Sequence, residues 1–339
     1  MRTFLPALLL LVPATASAQP DATVPADPAT PLSDEARRIA NDVPSEGTAD
    51  PGEHYPISNE FSHHLWFDHV RDRGGAFVGV GTDQCYTIAA VQNASMLWLV
   101  DYDPLVPVIH RLYSALVPAS DTPEQLVARF EDANEAATLA LIRERLAGQP
   151  DVEEVARAYQ RHHGRMHGYL RRVLRNPVGS WLSDPTLYAR VRTLFESGRV
   201  VARNGDVTAD GALRAVGRVA HRLGVPVRVI YFSNAEQFFP LGAGYRENVA
   251  SLPTDDRTIV LRTFRERGVP YPPGERWHYL VQPLADQNAR LEAGYRHSRQ
   301  FVFDLLQRSG RYVGENGLSV LDERVPQRSA PAARRAARP

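Results

Sequence analysis

The sequence has 339 residues, of which 43% are hydrophobic and 23% charged, with 39 basic and 39 acidic side chains. This composition is that of a globular protein with one large domain or two small ones, and it excludes collagen, coiled coils and wholesale disorder. All 39 basic residues are Arg, which excludes chemistry that needs a lysine amine, such as a Schiff base or a P-loop. The single cysteine, Cys85, can form neither an intramolecular disulfide nor a CxxC site.

The first 18 residues have the features of a cleaved signal peptide. Arg2 precedes an apolar run from Phe4 to Val12, and the segment ends in small residues at 16–18. This run is too short to span a bilayer, which needs about 20 apolar residues. We therefore expect an exported protein, periplasmic or extracellular, that begins near Gln19 and has no membrane span.

Two further segments have compositions typical of disordered chain. Residues 19–53 contain six Pro and eight acidic residues but only two Arg, which predicts a disordered linker. Residues 324–339 contain five Arg and no acidic residue, which predicts a disordered, Arg-rich tail. Residues 54–323 carry 31 Arg and 31 acidic residues. We expect this neutral segment to be the folded domain, and its lack of basic excess argues against a nucleic-acid partner.

A strand, a glycine turn and a helix are predicted near the start of this domain. The apolar run 76–81 ends in two glycines, a helix is expected to begin just after it, and the next apolar run ends on Asp101, 20 residues after Gly81. This spacing fits a Rossmann βαβ unit in which the turn approaches a ligand and the acid binds a ribose diol. A plain tight turn is the alternative. A nicotinamide-dependent oxidoreductase ranks lower, because Gln84 stands where the dinucleotide fingerprint has its third glycine.

A helical insertion is predicted at about residues 120–197, after the second strand. Helices are expected to begin at Asp121, Asp151 and Asp184, each of which has the features of an N-cap. Three histidines fall in this insertion, and two of them are one helical turn apart. No third ligand can be assigned beside that pair, so we expect a solvated Arg-rich face and no metal site. The histidines are His162, His163 and His167.

Strands and helices alternate again after the insertion. This alternation predicts an α/β fold with a doubly wound, mostly parallel sheet. The expected strands are 199–203, 226–232, 258–262 and 277–281, and the expected helices are 210–223 and 286–307.

Four segments together resemble the nucleoside-site segments of Rossmann-fold S-adenosylmethionine-dependent methyltransferases: residues 78–83, Asp101, Gly205-Asp206 and Asn234, each after a predicted strand. The chain is also similar, over about residues 55–265, to an uncharacterised bacterial family with that methyltransferase-like fold. The stretches that carry this similarity are 58–60, 79–84, 213–218 and 233–237.

The resemblance implies S-adenosylmethionine as cofactor and assigns candidate roles to residues. The glycine loop would cradle the methionine part, Asp101 would hold the ribose, and Asp206 would face the adenine. The implied cofactor-binding set is Gly79, Gly81, Asp83, Gln84, Asp101, Asp206 and Asn234. The candidates for a catalytic role are Asp206, Glu236 and Asn234, with His63 or His64 as a further candidate base and Glu60 and Gln237 as other site candidates.

Simpler structural roles stay open for several of these residues. Asp206 could form a turn, Asn234 and Gln237 could bond loop backbone, and Glu60 could belong to a helix cap. Methyl transfer requires mainly that donor and acceptor be held in line, so it does not demand a strong base. Cys85 lies at a helix N-terminus, but we expect a buried, inert thiol.

Two functions from different classes therefore remain. The first is an exported methyltransferase-like enzyme that modifies an unknown small-molecule or envelope-associated acceptor. The second is a non-catalytic exported Rossmann-like domain that binds another ligand or an envelope protein partner. The predicted export favours the second, because S-adenosylmethionine is made in the cytoplasm.

Overall fold

The computed structural model describes residues 20–302 and 316–321. The predicted signal peptide and the predicted Arg-rich tail lie outside the described residues. Seven strands form one sheet in the order β3-β2-β1-β4-β5-β6-β7. The strands are β1 Ala76–Gly79, β2 Met96–Asp101, β3 Val200–Asn204, β4 Val227–Ser233, β5 Thr254–Phe264, β6 His278–Pro283 and β7 Leu318–Val320.

The sheet is mostly parallel. Neighbouring strands among β1 to β5 are all parallel, β6 is antiparallel to β5, and β7 is parallel to β6. Every residue of β1 is buried, as are the first five residues of β2. Such continuous apolar runs are typical of parallel strands covered on both faces. The α/β fold with a mostly parallel sheet is thus confirmed.

Helices cover both faces of the sheet. One face packs against α2 to α8, and the other packs against α1, α9, α10 and α11. The helices are α1 Asp34–Asn41, α2 Phe67–Val70, α3 Gln84–Gln92, α4 Leu105–Leu116, α5 Pro123–Ala128, α6 Glu135–Arg145, α7 Val152–Leu174, α8 Pro185–Glu196, α9 Ala212–Arg222, α10 Ala243–Ala250 and α11 Leu284–Glu292.

The segment between β2 and β3 contains helices α4 to α8, and the last four of these occupy the predicted insertion. One helix is expected to begin at Asp121, but the structure has two, α5 and α6. The N-cap of α5 is Thr122 and not Asp121, because the Thr122 hydroxyl accepts the Gln125 N–H at 3.2 Å. Asp184 caps α8 as expected, because its carboxylate accepts the Thr186 N–H at 2.8 Å.

The structure differs from the expected disordered linker over residues 20–53. Ser33 caps α1, whose Ile39 is fully buried against the face that α9 also covers. The fully buried Arg199 donates to main-chain carbonyls of this segment, including that of Thr30 at 2.6 Å. A small number of buried apolar side chains and the buried Arg199 guanidinium therefore hold the segment in place. The composition of the segment alone does not predict these contacts.

The topological switch point lies between β1 and β4. From β1 the chain proceeds to β2 and β3 on one side of the sheet and returns to β4 and β5 on the other. The carboxyl ends of parallel strands open into a crevice at such a point, and ligands of doubly wound proteins bind there. Four of the predicted site segments follow β1, β2, β3 and β4 and therefore share this edge of the sheet.

Candidate functional site

The glycine loop and Asp101 meet at the carboxyl edge of β1 and β2. These strands are hydrogen-bonded neighbours, with Gly79 opposite Leu99, so their ends lie side by side. The Gly81 N–H donates to Asp101 Oδ2 at 2.6 Å. The structure thus brings Gly81 and Asp101 together, as their spacing of 20 residues predicts.

Neighbouring side chains leave no room for a Cβ at either glycine of the loop. A Cβ on Gly79 would lie 2.6 Å from the Phe77 ring. Gly81 has a φ of +88°, which favours glycine, and a Cβ there would collide with the Gln84 amide. Gln84 is buried and its Oε1 accepts the Thr82 hydroxyl at 3.0 Å, so this side chain supports the loop from within.

His110 fixes the other side of Gly81 and was not identified from the sequence. Its Nε2 lies 2.9 Å from the Gly81 carbonyl oxygen, and its Nδ1 lies 2.5 Å from the Tyr86 hydroxyl. Burial lowers the pKa of His110 to about 4, so the imidazole is neutral at pH 7. Since a carbonyl can only accept, Nε2 carries the proton and Nδ1 accepts the Tyr86 O–H.

Asp101 has the chemistry that a ribose-binding acid requires. Oδ1 accepts the Asp103 N–H at 2.9 Å, and Oδ2 accepts the Gly81 N–H. A carboxylate has about four acceptor positions, so two backbone donors leave acceptor capacity for hydroxyl groups. Burial raises the pKa of Asp101 to about 6 in spite of these bonds.

Asp206, after β3, forms a turn. Its Oδ1 accepts both the N–H and the hydroxyl of Thr208 at 2.7 Å. Its own N–H donates to Glu46 Oε2 at 2.8 Å, and Glu46 Oε1 accepts the Ala212 N–H at the start of α9. The Glu46 carboxylate thus occupies the N-terminal end of α9, where the helix dipole favours a negative charge. Sequence reasoning missed Glu46 because it belongs to the segment predicted to be a disordered linker.

Residues at the end of β4 and in the loop after it lie in two different environments. Ser233 has a φ of +49°, which is unusual for a residue other than glycine, and Asn234 and Gln237 are half-buried beside it. Glu236 is 2% exposed and forms an ion pair with the fully buried Arg262 at 2.5 Å, while also accepting the Tyr245 hydroxyl. Its carboxylate is therefore committed to a buried network of side chains.

Glu60 lies beneath the end of β4 in a cage of hydroxyl groups. Its carboxylate accepts hydrogen bonds from Ser233 at 2.5 Å, Tyr231 at 2.7 Å and Thr263 at 2.8 Å. His63 Nε2 is 3.6 Å from Oε2, within ion-pair distance but too far for a hydrogen bond, and it has no hydrogen-bond partner among the described residues. Burial by itself raises the pKa of Glu60, but the His63 imidazole and the hydroxyl donors of Ser233 and Tyr231 outweigh it and lower the pKa below its usual value.

Asp83 and Cys85 are buried at the start of α3, just after the glycine loop. Asp83 is fully buried and accepts the Trp181 indole N–H at 2.9 Å, and burial raises its pKa. The Cys85 thiol donates to the Val80 carbonyl at 3.1 Å, and burial raises its pKa well above the usual value. A thiol in this state is a poor nucleophile, as the sequence predicts.

His163 and His167 of the predicted insertion are half-buried on α7. His163 Nε2 is 3.2 Å from Asp132 Oδ1, and His167 Nε2 is 3.9 Å from Glu131 Oε1. Among the described residues, no group of three or more His, Cys, Asp or Glu side chains could hold a metal ion.

Apart from Asp83, His63 and His64, the sequence candidates therefore fall into four places. Gly79, Gly81, Gln84 and Asp101 lie at the ends of β1 and β2; Asp206 lies in a turn after β3; and Glu60, Asn234 and Gln237 lie at or below the end of β4, whereas Glu236 belongs to a separate buried network.

In the part of the chain that the structure describes, no helix has the length and apolar character needed to cross a membrane.

Comparison with known proteins places the chain in a family. No curated protein matches the sequence significantly. A family model described as Domain of unknown function (DUF7790) matches residues 55–322. Because this match covers most of the chain, the protein belongs to the DUF7790 family.

Proposed function

We propose that this protein binds S-adenosylmethionine at the carboxyl edge of β1 and β2 and acts in methyl transfer to an unknown acceptor. The observation that carries the proposal is the position of Asp101. Its carboxylate lies at the end of β2, next to the switch point, is bonded to the Gly81 N–H, and retains acceptor capacity.

The glycine loop and Asp101 have defined roles in this proposal. Asp101 accepts the ribose hydroxyls, and the backbone around Gly79 and Gly81 borders the methionine part. Asp83 is fully buried, so it supports the loop through Trp181 and does not contact the ligand. The cofactor supplies an activated methyl group, and the protein holds donor and acceptor in line, which requires no strong base.

The predicted signal peptide favours a second function, ligand binding without catalysis. An exported chain has no evident supply of the cofactor. Protein sequencing tests this second function, because a mature N-terminus near Gln19 would support export.

Calorimetric titration of the purified protein tests the proposal. S-adenosylmethionine and S-adenosylhomocysteine should bind, and NAD should bind more weakly or not at all. Asp101→Ala should weaken binding by about 1.5–3 kcal/mol through loss of charge-assisted hydrogen bonds, roughly a factor of 10 to 150. The exposed Asp210 provides the control, and Asp210→Ala should bind like the wild type.

The outcomes separate the two functions. No binding of either adenosyl ligand to a folded sample would refute the proposed site, as would unchanged affinity in Asp101→Ala. Binding that depends on Asp101, without transfer of a labelled methyl group to any acceptor in an envelope extract, would favour the second function.

A further inference from the structure

A second cavity lies away from the glycine loop. It has a volume of about 1030 Å³ and lies between the C-terminal end of α7, the 3₁₀ turn at His63–Trp66 and the loop at residues 272–275. None of the glycine-loop residues lines it. The cavity is large enough for a small organic ligand and is separate from the proposed nucleoside site.

Three arginines at the end of α7 give this cavity a positive charge. Arg171, Arg172 and Arg175 line it, all three are exposed, and within the described residues none forms an ion pair. Elsewhere in the insertion, Arg143 pairs with Glu153 at 2.9 Å and Arg192 pairs with Glu196 at 2.8 Å. The helix dipole favours cations at a C-terminal end, but it does not account for three neighbouring guanidinium groups without an acid among them.

The acid in the cavity wall is engaged elsewhere. Glu275 Oε1 accepts the Phe61 N–H at 2.8 Å, and Oε2 accepts the Tyr279 hydroxyl at 2.7 Å. Both carboxylate oxygens therefore hold the wall together and do not pair with the arginines. An anionic ligand would supply the missing negative charge.

The same contacts fix the geometry of the cavity. Phe61 is held from both sides, because its carbonyl accepts the Asn176 amide at 3.2 Å while its N–H donates to Glu275. The Arg172 guanidinium lies 3.5 Å from the centre of the Phe61 ring. A cation over an aromatic face is attracted to it, so at least one of the three guanidinium groups has a defined position before a ligand binds.

We propose that this cavity binds a phosphomonoester attached to an apolar group. A phosphomonoester carries close to two negative charges at pH 7 and three acceptor oxygens, which suit several guanidinium groups at once. Phe61, Leu65 and Val178 supply apolar surface beside the arginines. The same chemistry occurs in a soluble phosphomonoester and in the headgroup of phosphatidic acid.

Titration of the full chain with phenyl phosphate tests this inference. The variant Arg171→Gln/Arg175→Gln removes two charges from the cavity. Arg161→Gln/Arg165→Gln is the matched control, because it removes two exposed charges from the same helix outside the cavity lining. We expect the first variant to bind phenyl phosphate at least roughly tenfold more weakly than the wild type, and the control to differ by no more than about twofold.

Circular dichroism confirms that each variant is folded before it is titrated. Absence of phenyl phosphate binding at millimolar concentration, or equal affinity in the two double variants, would overturn the inference. Cosedimentation with phosphatidylcholine vesicles that contain phosphatidic acid identifies the source. Binding to these vesicles that phenyl phosphate displaces supports the lipid form, whereas binding of phenyl phosphate without vesicle binding supports the soluble form.

Discussion

Replacing Asp101 by Asn should change how the stability of the protein depends on pH. Burial raises the pKa of Asp101 from 3.8 to about 6, although the Gly81 and Asp103 N–H groups oppose this. Between these two pH values the native state binds more protons than the unfolded state. The stability that protonation confers is therefore complete below about pH 4 and is lost as the pH rises through about 6.

The magnitude follows from the size of the shift. A difference of about two pKa units corresponds to at most about 3 kcal/mol, of which about 2 kcal/mol falls between pH 4.5 and 7.5. Asn cannot titrate, so this loss is absent from Asp101→Asn. The variant also loses one acceptor for a backbone N–H, but that cost is the same at every pH.

Urea denaturation at a series of pH values measures the effect. From pH 4.5 to 7.5 the free energy of unfolding of Asp101→Asn should improve relative to the wild type by about 2 kcal/mol. Asp210→Asn, which alters an exposed residue, should follow the wild-type profile. Parallel profiles for Asp101→Asn and the wild type would show that Asp101 is not buried with a raised pKa, and the reasoning about this edge of the sheet would fail.

Three further substitutions test other contacts, each by urea denaturation. Glu236→Gln leaves the Arg262 charge buried without its partner and should cost about 3–5 kcal/mol; a cost below about 1 kcal/mol would contradict the buried pair. Glu46→Ala removes the acceptor at the start of α9 and should cost about 1–2 kcal/mol, so unchanged stability would refute that contact. Gly81→Ala should cost at least about 1–3 kcal/mol because of the positive φ at this position, and more if the new Cβ collides with the Gln84 amide. Adding Gln84→Ala removes that amide and should restore part of the stability lost to the collision, so strictly additive costs of the two substitutions would argue against it.

The sheet and part of the site could be predicted because they depend on local patterns. The apolar run 76–81 and the run that ends on Asp101 are long enough to form strands but too short for helices, and the first ends in a glycine turn. Once two such runs are neighbouring parallel strands, their ends share one edge of the sheet. The pairing of Gly81 with Asp101 follows from that geometry.

The remaining contacts depend on partners that are distant in the chain. Glu46 binds the start of α9 more than 150 residues away, and no local pattern connects the two. Glu236 follows β4 and Arg262 belongs to β5. Side chains from α10, α11 and β6 enclose the pair, and no local pattern predicts these contacts. The Arg199 contacts that hold residues 20–53 are bonds to main-chain carbonyls, which carry no side-chain signature.

The crystal structure of the complex with S-adenosylhomocysteine tests the central claim most directly. The account predicts that the ribose hydroxyls lie within about 3 Å of the Asp101 carboxylate, beside the loop that contains Gly79 and Gly81. A nucleoside bound elsewhere on the protein, or no nucleoside at this edge in crystals grown at saturating ligand, would contradict it.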